Sequence, residues 1–259
     1  MLSSPRIGSI RPLIRYVDER QAVIDTHFTT LPPVPSEGVN TAPPAVVDIQ
    51  VDINGLDGFH DEGQTRTPLD DQCVGRIRFD LVEPDRWWPA GMGTQSLYEL
   101  TITLLDDQQQ PIDSQSVTIG LTSVRPTENS NTAGSATFLV NGRPCQLEHV
   151  LMIDRIDERA LLPATGHSLL FIRDHFGTEL LYQAADRAGI LLLQSIPIDA
   201  EGCTEQAVLD QIDRLAGHPC LAGWYVGHLG DLADVVAEKL TLLDPTHQVL
   251  RELPPEWAA

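Results

Sequence analysis

The residues best equipped for chemistry lie between His218 and Asp231, in the stretch His-Pro-Cys-Leu-Ala-Gly-Trp-Tyr-Val-Gly-His-Leu-Gly-Asp. His149, His175 and His228, with Asp174 and Asp231 close in sequence, could ligate a metal. Spacing argues against the metal. No HxH or HxxxH pair supports coordination, and His149 could stand at the start rather than the end of its strand. Cys73, Cys145, Cys203 and Cys220 are scattered without CxxC spacing, which suits reduced buried thiols. Ser195 and Cys220 sit in no nucleophile motif such as GxSxG, and Gly227-His-Leu-Gly230 is too short for a phosphate loop and lacks its lysine. No metal and no cofactor is expected.

Elements must position these groups. A helix-like segment stops at Gly217 and Pro219, an apolar run continues through Val226, and small residues from Gly227 to Asp231 lead into the next helical pattern. The loop after the carboxyl end of a parallel strand is where α/β proteins place their chemistry, so Gly227, His228, Leu229 and Asp231 mark the place to look. From His149 onward strand and helix patterns alternate: apolar runs at 149–153, 168–173, 190–197 and 221–226, helical spacing at 178–188, 205–216 and 232–243, and a last strand at 248–253. Runs apolar on both faces between amphipathic helices imply a parallel sheet covered by helices. About five βα steps fit, whereas a closed eight-stranded barrel needs roughly 200 residues or more, so the second region, 135–259, is expected to be a partial barrel or a small open sheet.

Residues 1–127 read differently. Short runs at 7–14, 22–29, 46–53, 74–82, 97–105 and 116–124 are rich in Val, Ile, Thr and Leu, and several alternate in period two, as in Val47, Ile49, Val51, Ile53. With no helical period between them, they predict an immunoglobulin-like β-sandwich. Pro32–Pro44 reads as a loop, Pro126–Gly134 as an interdomain linker, and Asn141-Gly142 as the turn of a hairpin.

The formal charge of −20, from 37 acidic and 17 basic residues, would repel nucleic-acid phosphates and anionic lipid, so neither is expected as a partner. Met1–Arg6 opens no signal peptide and no run approaches about 18 apolar residues, so a cytoplasmic, non-membrane protein is expected.

Several segments resemble a known family in order. Trp87-Trp88-Pro89 and Gly91–Tyr98 resemble a strand pair in the central sandwich of family 2 glycoside hydrolases, the β-galactosidases, β-mannosidases and β-glucuronidases. Gly120–Arg125 is similar to the closing sandwich strand, and Phe138–Pro144 to the hairpin that leads into the catalytic barrel. Ile172-Arg173 with His175, Asp186–Gln194, His218-Pro219 with Trp224 and Gly227, and Leu243–Thr246 are similar to the approaches and strands of barrel positions two to five. The resemblance thus implies a sandwich followed by a partial (β/α) TIM-type barrel, with Gln194 favouring the mannosidase branch.

It also implies a missing catalyst. Such a retaining glycosidase needs two carboxyl groups about 5 Å apart, one as acid and base, the other as nucleophile. Aligned from His218-Pro219, His228 stands at the family's asparagine and Leu229 at its acid/base glutamate, and the nucleophile's strand lies beyond the fifth. Ser195 replaces an acidic position, and Leu151 and Met152 stand near the family's first-strand asparagine and histidine. Remnants of a substrate pocket are expected at Arg173, His175, Gln194, Trp224, His228 and Asp231. The expected role is a pseudoenzyme that binds carbohydrate or assembles with a second copy or another chain covering the part-barrel. The alternative is an active glycosidase that uses Asp174, Asp231 or Glu201, or a half-barrel from a partner.

Overall fold

The computed structural model describes residues 5–31, 48–56, 65–67, 74–126, 136–147, 149–153, 168–198, 204–227 and 230–253. Pro32–Pro44, Cys73, Cys203, Glu201, His228 and Leu229 fall outside this set, as does most of the stretch read as a linker.

Two antiparallel sheets come first. One has the order β1 (Arg6–Val17), β2 (Gln21–Leu31), β5 (Val74–Val82). The other runs β4 (Thr65–Thr67), β3 (Asp48–Gly55), β6 (Tyr98–Leu105), β7 (Pro111–Ile119). Period-two alternation turns Ile49, Val51 and Ile53 inward with Leu100, Ile102 and Leu104, against Ile24, Phe28, Ile77 and Phe79 of the facing sheet. Each such side chain contributes about 1.5–3 kcal/mol by leaving water. Phe28 fixes the identity of its neighbour, since a Cβ on Gly75 would stand 1.8 Å from the ring. Ile7 N donates to Asp113 Oδ2 (2.8 Å) and Gln115 Nε2 to Ile7 O (3.1 Å), joining the sheets along β1 and β7.

The strand expected at 116–124 lies elsewhere: β7 occupies Pro111–Ile119. Its residues Ser114 to Ser116 are all exposed, so the edge strand lacks the alternation that would have announced it. The chain leaves this sheet at Gly120, where a Cβ would stand 2.4 Å from Pro219, and β8 (Val124–Pro126) pairs with β9 (Ala136–Val140) instead. The strand expected at 116–124 is therefore split between two sheets. β9 turns into β10 (Arg143–Leu147) through Asn141 and Gly142, both at positive φ (50° and 78°), the hairpin geometry that Asn-Gly favours.

A five-stranded parallel sheet follows, in strictly sequential order: β11 (His149–Ile153), β12 (Ser168–Ile172), β13 (Leu191–Ser195), β14 (Leu221–Tyr225), β15 (Val249–Leu250). The last is shorter than the expected 248–253. Between the later strands run α1 (Glu179–Ala188), α2 (Glu205–Leu215) and α3 (Gly230–Leu243). Thr178 caps α1 by accepting from Leu181 N and Thr204 caps α2 by accepting from Ala207 N, each satisfying an orphan donor of the first turn. α1 stops at Gly189, left-handed at φ 71°. No helix among the described residues is long and apolar enough to cross a membrane.

Two contacts bind the antiparallel region to the parallel sheet. Trp87, fully buried, donates its indole N–H to Asp186 O at the end of α1 (2.7 Å), and Ala90 N donates to Gly189 O (2.9 Å). On the other side Leu13 of β1 joins the core of the parallel sheet, and Arg11 pairs with Asp213 of α2 at 2.5 Å.

Candidate functional site

Four of the six residues expected to line a pocket remnant come together at the carboxyl ends of β12, β13 and β14. Arg173 follows β12 and its carbonyl oxygen meets His175 Nδ1 at 2.8 Å. The His175 carbonyl in turn accepts from Gln194 Nε2 (2.7 Å), and Gln194 sits opposite Trp224 in the parallel register. Asp231 stands apart, exposed in the first turn of α3, and the side chains of His228 and Leu229 lie outside the described residues.

Their hydrogen bonds decide what these groups can do. Gln194 is fully buried, and its Oε1 accepts from Gly177 N (3.1 Å) and Tyr182 OH (2.9 Å) while its Nε2 donates to the carbonyls of His175 and Ser195. A primary amide has two donors and two acceptor lone pairs, so Gln194 has no polar capacity left for a ligand. Trp224, also fully buried, directs its indole N–H to Asp244 Oδ2 (2.7 Å), on the side where chain enters the strands. Ile153, Ile172, Ile196 and Val226 close the carboxyl ends with buried aliphatic groups. Arg173 and Asp174 remain at the surface, paired at 3.4 Å, and Asp174 holds a positive φ of 60°. Arg251 Nε caps Gly227 O (2.7 Å), and its Nη1 pairs with Asp234 (2.7 Å).

The histidines read as a metal set are not gathered at one end. His149 opens β11 at its amino end, whereas His175 follows the carboxyl end of β12. Across the described residues a different trio brings donor atoms within 4.8 Å: Asp186, His218 and Cys220, all buried. His218 Nδ1 donates to Asp186 Oδ2 (2.6 Å), Cys220 N donates to Asp186 Oδ1 (3.2 Å), and His218 Nε2 lies 3.4 Å from Glu179. Burial opposes a charged imidazole, but Asp186 and Glu179 outweigh it and raise the pKa of His218 to about 9. The hydrogen bond from His218 draws Glu179 down to about 2. Burial pushes the Cys220 thiol well above its usual range, as it does more mildly for Cys145. With the His218 ring between Asp186 and Glu179, these groups form an ion-pair brace between α1 and the approach to β14. Cys145 and Cys220 are free buried thiols, as their spacing predicts.

A second buried brace underlies Trp224. Asp244, with no exposed surface, accepts from Trp224, from His247 Nδ1 (2.8 Å) and from the Thr246 hydroxyl (2.6 Å). Burial works against its charge, yet these partners hold its pKa down to about 2. Sequence reasoning missed both braces as units. One signal was present: Asp186 falls on the same face of α1 as buried Leu181, Tyr182 and Ala185, and a charge on an apolar face requires a partner.

Comparison with known proteins agrees with this architecture. The model of the glycosyl hydrolases family 2 matches residues 39–121. A beta-mannosidase B of Emericella nidulans is 28% identical over 182 residues, covering 60% of this chain and 21% of that protein. A beta-galactosidase of Aeromonas hydrophila is 24% identical over 205 residues, covering 67% of this chain and 19% of that protein. A putative beta-galactosidase from Bacteroides fragilis superposes with a TM-score of 0.70 at 15% identity, over 95% of this chain and 40% of that one. The chain spans about a fifth of the length of these curated relatives. In sequence and in fold, the chain is similar to the family 2 glycosyl hydrolases.

Proposed function

We propose that this polypeptide is a pseudoenzyme of the family 2 type, in which residues 1–127 form an immunoglobulin-like sandwich, residues 135–259 an arc of a (β/α) barrel, and the role is carbohydrate binding or assembly. The observation that carries this reading is the state of Gln194. Where a glycosidase would present polar atoms to a sugar, this side chain spends all its hydrogen bonds on protein, among buried Ile153, Ile172, Ile196 and Val226. Leu229, at the position aligned with the acid/base glutamate, has no proton to give.

One observation favours residual glycosidase activity instead. Asp174 is largely exposed at a strand end with φ of 60°, and strained residues of that kind cluster at functional sites. Nitrophenyl β-mannoside, β-galactoside and β-glucuronide distinguish the two readings. No turnover above buffer is expected. Turnover abolished by Asp174→Asn or Asp231→Asn would replace the first reading with the second.

A further inference from the structure

Away from the carboxyl ends of the parallel strands, a cavity of about 500 Å³ opens between β1, the β9–β10 hairpin and the loop that precedes β15. Its size falls within the roughly 300–1,000 Å³ usual for small-molecule sites, and far exceeds what one inorganic ion fills. Arg15, Arg125 and His247 all line it. In a chain with 37 acidic and 17 basic residues, three nitrogen-bearing cationic or protonatable groups at one cavity run against the average charge.

The nearby acids are already committed. Asp25, 1% exposed, faces three guanidinium groups, those of Arg15, Arg76 and Arg78, so one carboxylate is shared among three cations and Arg15 keeps its Nη atoms for another acceptor. Asp244 is held by Trp224, Thr246 and His247. That last bond fixes the ring: with Nδ1–H given to Asp244, Nε2 of His247 is left with its lone pair, an acceptor for a hydroxyl group. Arg125 is exposed and forms no ion pair among the described residues.

The remaining walls narrow the ligand class. Ser123 and Gln248 offer neutral donors and acceptors suited to hydroxyl groups, and Ile14 and Leu139 an apolar face. We propose that this cavity binds a sugar acid, a polyhydroxylated ring whose carboxylate is held by Arg125 and Arg15 while a ring hydroxyl donates to His247 Nε2. The assignment does not rest on the reading of the strand ends, since the cavity lies on the opposite side of the sheet.

Calorimetric titration of the full chain with sodium glucuronate, inorganic sulfate and glucose at low ionic strength tests it. Glucuronate is expected to bind, sulfate to compete for the same site, and glucose to give no heat. Arg125→Ala is expected to weaken glucuronate about tenfold, the loss of one charge-assisted hydrogen bond, with the thermal unfolding midpoint unchanged. Sulfate binding without glucuronate binding, equal affinity in Arg125→Ala, or no heat from either anion would overturn the proposal.

Discussion

The two ends of the parallel sheet treat charge in opposite ways. Where chain enters the strands, Asp186 with His218 and Asp244 with His247 form two buried pairs at hydrogen-bond distance. Where chain leaves them, Arg173, Asp174 and Asp234 are exposed, with pairs Arg173–Asp174 and Arg251–Asp234. Buried charge is tolerated only with full compensation, so the entering end holds interactions of architecture: α1 to β14, and α3 to β15. Among the described residues, the leaving end, where α/β proteins locate their chemistry, carries buried aliphatic side chains and solvated charge. The molecule thus invests its electrostatics in holding its parts together.

That contrast can be broken most severely at Asp186. Asp186→Ala leaves the His218 cation in the core without its closest partner, and the expected loss is about 3–5 kcal/mol, read as a fall in the urea midpoint with unchanged slope. A loss below about 1 kcal/mol would mean that the brace is decorative.

A pH series sharpens the comparison without mutation. The folded pKa of His218, about 9, lies above the 6.5 of a free imidazole, so its contribution is fully present below pH 6.5 and disappears as pH rises through 9. Roughly 3 kcal/mol should be lost across that window, and His218→Gln should flatten the curve. A wild-type stability that stays level from pH 6.5 to 9 would contradict the brace. The smallest effect is expected at the leaving end. Arg173→Ala breaks a surface pair and should shift unfolding by no more than about 0.5 kcal/mol, measured by the same denaturation; a shift of several times that would erase the distinction between the two ends.

Much of the fold was legible in the residues because it is local. The helical spacing at 178–188 and 205–216, Asn141-Gly142 as a hairpin turn and the doubly apolar runs at β12, β13 and β14 each announce themselves within a few positions. β7 was misplaced for the same reason in reverse: polar and exposed from Ser114 to Ser116, it shows no alternation there and is recognised as a strand by its pairing with β6. At the strand ends, sequence named Arg173, His175, Gln194 and Trp224 as remnants of a pocket but gave no indication that Gln194 and Trp224 direct their polar atoms to protein partners.

Composition and periodicity determined, without coordinates, that this chain is acidic, that strands precede an alternating α/β region, and that an aliphatic residue occupies position 229. Hydrogen-bond partners separated by tens of residues were decided only in three dimensions. Asp186 meets His218 across 32 positions, Trp224 meets Asp244 across 20, and the cavity gathers Arg15, Arg125 and His247 from three separate stretches of chain. Backbone preferences act between neighbours and can be read in order; compensation of buried charge depends on distance in space, which the order of residues does not contain.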